Sequence, residues 1–181
     1  MRRLKLDILQ KGLPGITPIM GAYYMEAAIV CLIKNGHSSG VILEVTGAYQ
    51  EIFEISWTIP VNEDIVNSWR EEKIATSHGA VGIALCLLLE LLDYTTFEEG
   101  IYGTGIDFWL GKGELAHNQI SLYQREARVE ISGIFKETKK NSIKMRVNKK
   151  KQQISPSDNT QLDGWVVIVE FETPKSKIVK K

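Results

Sequence analysis

Apolar residues recur at helical spacing over Met20, Tyr23, Tyr24, Ala27 and Cys31, which predicts a helix from about Pro18 to Lys34. Thr17-Pro18 supplies a cap and a first-turn proline, and Asn35-Gly36 supplies the stop. Residues 1–16 read as a short amphipathic lead-in ending at Pro14-Gly15. Gly40 to Val45 is a β-rich run. From Gln50 to Thr58, Phe53, Ile55 and Trp57 alternate with Glu54, Ser56 and Thr58, the period of a half-buried strand, and the short Thr46-Gly47 turn predicts a hairpin. Ile65 and Trp69 mark a short helix over Asp64 to Glu72. Gly79 to Leu92 is apolar nearly all round, which predicts a central helix capped by Thr76 or Ser77. Gly79 and Gly82 weaken its propensity but permit close packing. Further strands are predicted at Ile106 to Leu110, Arg128 to Phe135 and Trp165 to Glu172, with a loop of about fifteen residues after the first. A helix is predicted at Ser142 to Gln153, with Ile143, Val147 and Ile154 facing inward.

This order predicts an α/β fold, with mixed α+β as its near variant: a central mixed sheet flanked by two long helices. One domain spans residues 1–181, with a helix plus hairpin over 17–58, a helix-strand-strand-helix-strand core over 76–172 and a basic tail over 173–181. The lysines at 175, 177, 180 and 181 mark that tail as a frayed end. At 44% hydrophobic and 24% charged residues, the chain has the composition of a folded protein, which excludes wholesale disorder. Cys31 and Cys86 lie far apart in apolar segments, so a disulfide framework and a four-cysteine zinc site are excluded and a reducing, cytoplasmic setting is expected. Lys5, Asp7 and Lys11 break any signal-peptide core after Met1-Arg2-Arg3. The run from Val81 to Leu92 is too short to span a bilayer, so no membrane association is expected.

The zero net charge conceals a polarity. Residues 1–135 carry 10 basic and 17 acidic side chains, whereas residues 136–181 carry 12 basic and 5 acidic. Between Lys136 and Gln153 eight basic residues face one acid, Glu137. Such a field attracts phosphate backbones or acidic partners, though a solvated helix face has the same composition.

Most motif chemistry is absent. Gly105 and Gly111 do not frame a Walker loop, because Lys112 is followed by Gly113 and no helix comes next. His37, His78 and His117 have no zinc-ligand spacing, and no nucleophile elbow occurs. The carboxylates stand out instead. Asp107 lies in Gly-Ile-Asp-Phe-Trp-Leu-Gly and Glu130 in Arg-Val-Glu-Ile-Ser-Gly, both apolar strands. A carboxylate there is unfavourable unless it is exposed, paired or bound to a metal. Pairing with Arg125, Arg128 or Arg146 is the structural alternative. Two such acids on neighbouring strands can hold Mg²⁺ together with waters and substrate phosphates, and Glu90 could add a third ligand.

An acid on one strand, an acid on the next, a helix before and a basic helix after resemble the core of the PD-(D/E)XK nuclease superfamily over roughly residues 79–172. The resemblance implies a restriction-endonuclease-like core, with the first acid at Asp107 and the second at Glu130. The family's lysine position holds Ser132, a departure that implies either a dead site or a base migrated to Lys150 or Gln153 on the following helix, where Arg146, Lys150 and Gln153 share one face. Ile106 replaces the frequent proline. The implied activity is Mg²⁺-dependent phosphodiester hydrolysis, with Lys144, Arg146, Lys149 and Lys150 binding DNA or RNA. Gly-Thr-Gly-Ile-Asp-Phe-Trp-Leu-Gly, Ala-Arg-Val-Glu-Ile-Ser-Gly-Ile and Val-Val-Ile-Val-Glu-Phe are also similar to stretches of short uncharacterised bacterial proteins, which implies a bacterial origin and no activity. The alternative function is a non-catalytic partner-binding or assembly module, or a homo-oligomer, with Trp57, Trp69, Phe108 or Trp109 as an interface anchor.

Overall fold

In chain order the computed structural model, which describes residues 1–112 and 125–181, runs β1 (Arg2–Lys5), a 3-10 turn (Leu6–Lys11), α1 (Pro18–Lys34), β2 (Val41–Gly47), β3 (Glu51–Ser56), α2 (Glu63–Ser68), α3 (Glu72–Leu92), β4 (Thr96–Glu99) and β5 (Phe108–Gly111). It continues with β6 (Ala127–Ile134), α4 (Ile143–Gln153), a second 3-10 turn (Ser155–Thr160), β7 (Asp163–Glu170) and β8 (Lys175–Lys180). His117 and most of the loop expected after β5 lie outside the described residues.

The strands form one mixed sheet in the order β1-β3-β2-β8-β7-β6-β5-β4, the mixed α and β architecture expected from the sequence. β4, β5 and β6 are a run of antiparallel neighbours, and β6 and β7 are parallel, joined across α4. This follows the rule that parallel neighbours need a crossover of a dozen or more residues, usually a helix. α1 and α3 pack together on one face, with α3 against β6 and β7, and α4 packs on β6 and β7 from the other side. The alternation along β6 feeds both layers. Val129 and Ile131 join the large core with α1 and α3, while Ile134 joins Val147, Val166 and Ile168 beneath α4.

Local chemistry explains the helix boundaries. The Thr17 hydroxyl accepts the Met20 amide at 3.2 Å, and the Ser142 hydroxyl accepts the Met145 amide at 3.4 Å. α3 starts seven residues before Gly79, because the Glu71 carboxylate accepts the Lys73 amide at 3.2 Å. Thr76, expected as a cap, sits inside the helix, and its hydroxyl donates to the Glu72 carbonyl at 2.7 Å. At 21 residues α3 passes the length and composition test for a bilayer-crossing helix, but 61% of its most apolar stretch is buried within the fold.

One further expectation is corrected. Residues 175–180 are not a frayed tail. They form β8, paired with β7 on one side and β2 on the other, with Ser176 and Ile178 fully buried. The core also contains a strand missed in the sequence, β4, in which Phe97 is buried and the two glutamates are not.

The two α3 glycines do permit a close crossing with α1. A Cβ at Gly82 would lie 2.6 Å from the Tyr24 carbonyl oxygen, and one at Gly79 would lie 3.0 Å from the Ala27 backbone. Gly82→Val is therefore expected to lower the urea unfolding free energy by about 1–3 kcal/mol through forced separation of the helices. An unchanged midpoint would contradict this packing.

Candidate functional site

β5 and β6 bring the two acids together. Phe108 pairs with Val129 and Trp109 with Arg128, and Asp107 precedes β5 directly, where the regular ladder ends. Asp107 is anchored by the backbone. Its own amide donates to the Val129 carbonyl at 2.9 Å, and its Oδ2 accepts the Ile131 amide at 2.7 Å. The two carboxyl groups are close enough to act on each other's charge. Glu130 is 1% exposed.

α4 supplies the counter-charge. Arg146, Lys150 and Gln153 recur on its inner face, and each reaches the site. Lys150 Nζ donates to Glu130 Oε1 and, at 3.1 Å, to Gln153 Oε1. Arg146 donates from Nη1 to the Ser132 hydroxyl at 3.1 Å and from Nε to Asn141 Oδ1 at 2.7 Å. The serine at the family's lysine position thus orients an arginine. The ammonium group expected beside the second acid arrives from the helix instead.

Burial shapes the titration of this pair. Removal from water, then the Asp107 charge, pushes Glu130 up to about 7, against the pull of Lys150. Desolvation also raises Asp107, opposed by the Ile131 amide, Lys150 and Glu130. Two carboxylates crowded in low dielectric favour either a shared proton or a cation between them.

The pair opens into a cleft of about 680 Å³ whose lining includes Glu72, Lys73, Lys136, Arg146, Lys150 and Gln153. It adjoins a second depression of about 570 Å³, shared at Asp107, Glu130 and Gln153. Asp107, Glu130, Lys150 and Gln153, the four residues expected to be catalytic, are therefore one constellation.

Glu90 is not part of it. It bonds Arg2 at 3.1 Å, because Glu90 lies fourteen residues along α3 from Thr76, which packs on β6 at Gly133. That is roughly 21 Å of helix at 1.5 Å per residue. Lys144 and Lys149 are exposed and do not line the cleft, so only Arg146 and Lys150 of the expected nucleic-acid set face it. Among the described residues, no group of three His, Cys, Asp or Glu side chains converges as a ready cation cage.

The arginine alternative is corrected as well. Arg125 pairs with Glu98 at 2.6 Å, Arg128 with Asp158 at 2.6 Å, and Arg146 binds Ser132 and Asn141. Glu170 offers a contrast within the same sheet. It too is 1% exposed, but it accepts the Glu172 and Thr173 amides and the Thr173 hydroxyl at 2.7–2.9 Å, a complete structural role. The aromatic anchors imagined for a partner are largely internal. Trp57, Trp69 and Phe108 are buried, and the Arg125 guanidinium covers Trp109 at 4.4 Å.

Sequence reasoning missed Glu72, Lys73 and Lys136 on the cleft wall. The acidic pair Glu71-Glu72 was the available signal, since acids favour the first turn of a helix. No family model matches the chain, and neither a curated protein nor a solved structure matches it.

Proposed function

We propose that the protein is a divalent-metal-dependent phosphodiesterase acting on nucleic acid, with Asp107 and Glu130 as the ligands of Mg²⁺ or Mn²⁺. The carrying observation is the convergence of these two carboxyl groups on one cleft, free of arginine, with a lysine from the next helix on one of them. The element order from α3, a helix, three antiparallel strands, a helix and a parallel strand, supports the restriction-endonuclease-like reading of the core.

The donor set suits the ion. Mg²⁺ takes one or two carboxylates and completes its shell with water and phosphate oxygens, and a divalent charge relieves the repulsion that raises both acids. When bound, the ion supplies Lewis-acid stabilisation of the phosphate charge. The Ile131 amide holds Asp107 in place. Lys150 holds Glu130 and sets an ammonium on the cleft wall, where it could contact a phosphate oxygen or the attacking water, and Gln153 orients that lysine. Lys73, Lys136 and Arg146 provide a positive wall for the backbone.

Incubation with DNA and RNA in Mg²⁺ or Mn²⁺ tests the proposal. Cleavage is expected with the native protein and not with Asp107→Asn. Cleavage that survives the substitution would remove the site. Lys73→Gln combined with Lys136→Gln is expected to weaken binding of any sequence and flatten its salt dependence, read as a smaller slope of affinity against salt.

A further inference from the structure

The two depressions at the acid pair differ in chemistry. The larger is walled by Lys73, Lys136, Arg146 and Lys150. Among the described residues the smaller is lined by three acids, Glu99, Asp107 and Glu130, and by no lysine or arginine, and its rim includes Ile101 and Tyr102. These are 76% and 104% exposed, so Tyr102 touches almost nothing in the fold. A tyrosine held wholly in water at the mouth of a buried ionic site has no packing role.

The lip is nevertheless fixed in place. The Gly100 amide donates to the Asp107 carbonyl at 2.8 Å, and the Thr104 amide and hydroxyl both donate to the Ile101 carbonyl, at 3.1 and 2.6 Å. Gly105, at φ +74°, lies so close to α4 that a Cβ there would fall 1.9 Å from the Gln153 carbonyl oxygen. The loop backbone is thus locked to Asp107 and to the helix bearing Gln153, so binding has only the Tyr102 side chain left to order.

We propose that the Ile101–Tyr102 lip is a stacking platform for an unpaired nucleobase beside the scissile phosphate, so that the preferred substrate is a duplex with a single-stranded overhang or branch. The inference rests on the phosphodiesterase reading of the acid pair. In a continuous duplex each base face is covered by its neighbours, so none is free to stack on Tyr102. A single strand leaving the site exposes the faces of its bases, and a base face stacks on an aromatic ring whatever its sequence.

The test is binding, with Ca²⁺ replacing Mg²⁺, of fluorescein-labelled DNA and RNA duplexes that are blunt or carry a short overhang. Anisotropy should show the overhang bound about tenfold more tightly than the blunt duplex, as expected for one stacked base. Tyr102→Ala should erase that preference and leave blunt binding and the melting temperature unchanged, and Tyr102→Phe should retain it. Equal binding of both duplexes by the native protein, or a Tyr102→Ala effect that is absent or equal on both, would overturn the platform. Cleavage with no Tyr102 dependence sinks the platform alone. A Tyr102-dependent preference without metal-dependent cleavage sinks the catalytic reading and leaves the platform standing.

Discussion

Asp107→Asn is expected to abolish cleavage and, at the same time, to stabilise the metal-free protein at pH 8. The loss should be at least about a thousandfold, because metal-assisted charge stabilisation is worth several kcal/mol of barrier. The gain follows from the crowding of the acids. Glu130 is pushed from 4.5 to about 7 first by burial and then by the Asp107 charge. An acid raised in the folded state contributes its full stability below the unfolded value and loses it as pH rises through the folded one. For Glu130 the window is about pH 4.5 to 7, and the loss across it is about 3 kcal/mol. Asparagine keeps an oxygen for the Ile131 amide but removes the neighbouring charge, so part of that loss is restored. Activity assays and urea melts at pH 5 and 8 should therefore move in opposite directions, which a merely misfolded variant does not do.

Lys150→Met should have the largest effect on stability. Lys150 is the cation bonded to Glu130, and their side chains are 14% and 1% exposed. Removing one partner of a buried pair leaves an uncompensated charge, at a penalty of about 3–5 kcal/mol. The penalty should be largest at pH 8 and shrink toward pH 5, where Glu130 takes up a proton instead. Urea unfolding at the two pH values reads this directly. A pH-independent loss would mean that the lysine contributes only packing. Lys150→Arg should recover much of the stability but not the activity, because a planar guanidinium does not reproduce the point charge of an ammonium.

The acids were legible because a carboxylate inside an apolar run needs a reason: Glu130 broke the pattern of β6, and Asp107 broke that of the run predicted as a strand, although it lies just before β5. What the pattern could not supply was their partner. Lys150 is one of eight basic residues in its segment, and only its position on the inner face of α4 separates it from Lys149. Glu90 misled because it interrupts an apolar helix as the other two interrupt apolar runs, but that helix is long and Glu90 sits at the end remote from the site. β8 was hidden by its own lysines. Ser176 and Ile178 alternate with Lys175 and Lys177, so one face is buried and the other solvated, yet the charge count dominates the eye. β4 was hidden by brevity, four residues with one buried side chain. Both are tertiary decisions: neighbouring strands recruit segments whose own preference is slight.

The central claim is that Asp107 and Glu130 together hold a divalent ion. The most direct measurement is the melting temperature of the native protein, Asp107→Asn and Glu130→Gln at pH 8 as Mn²⁺ is titrated, since an ion that binds only the folded form raises its stability. The account predicts a saturable rise of several degrees for the native protein and none for either variant. No rise in the native protein, or the same rise in all three, would contradict it.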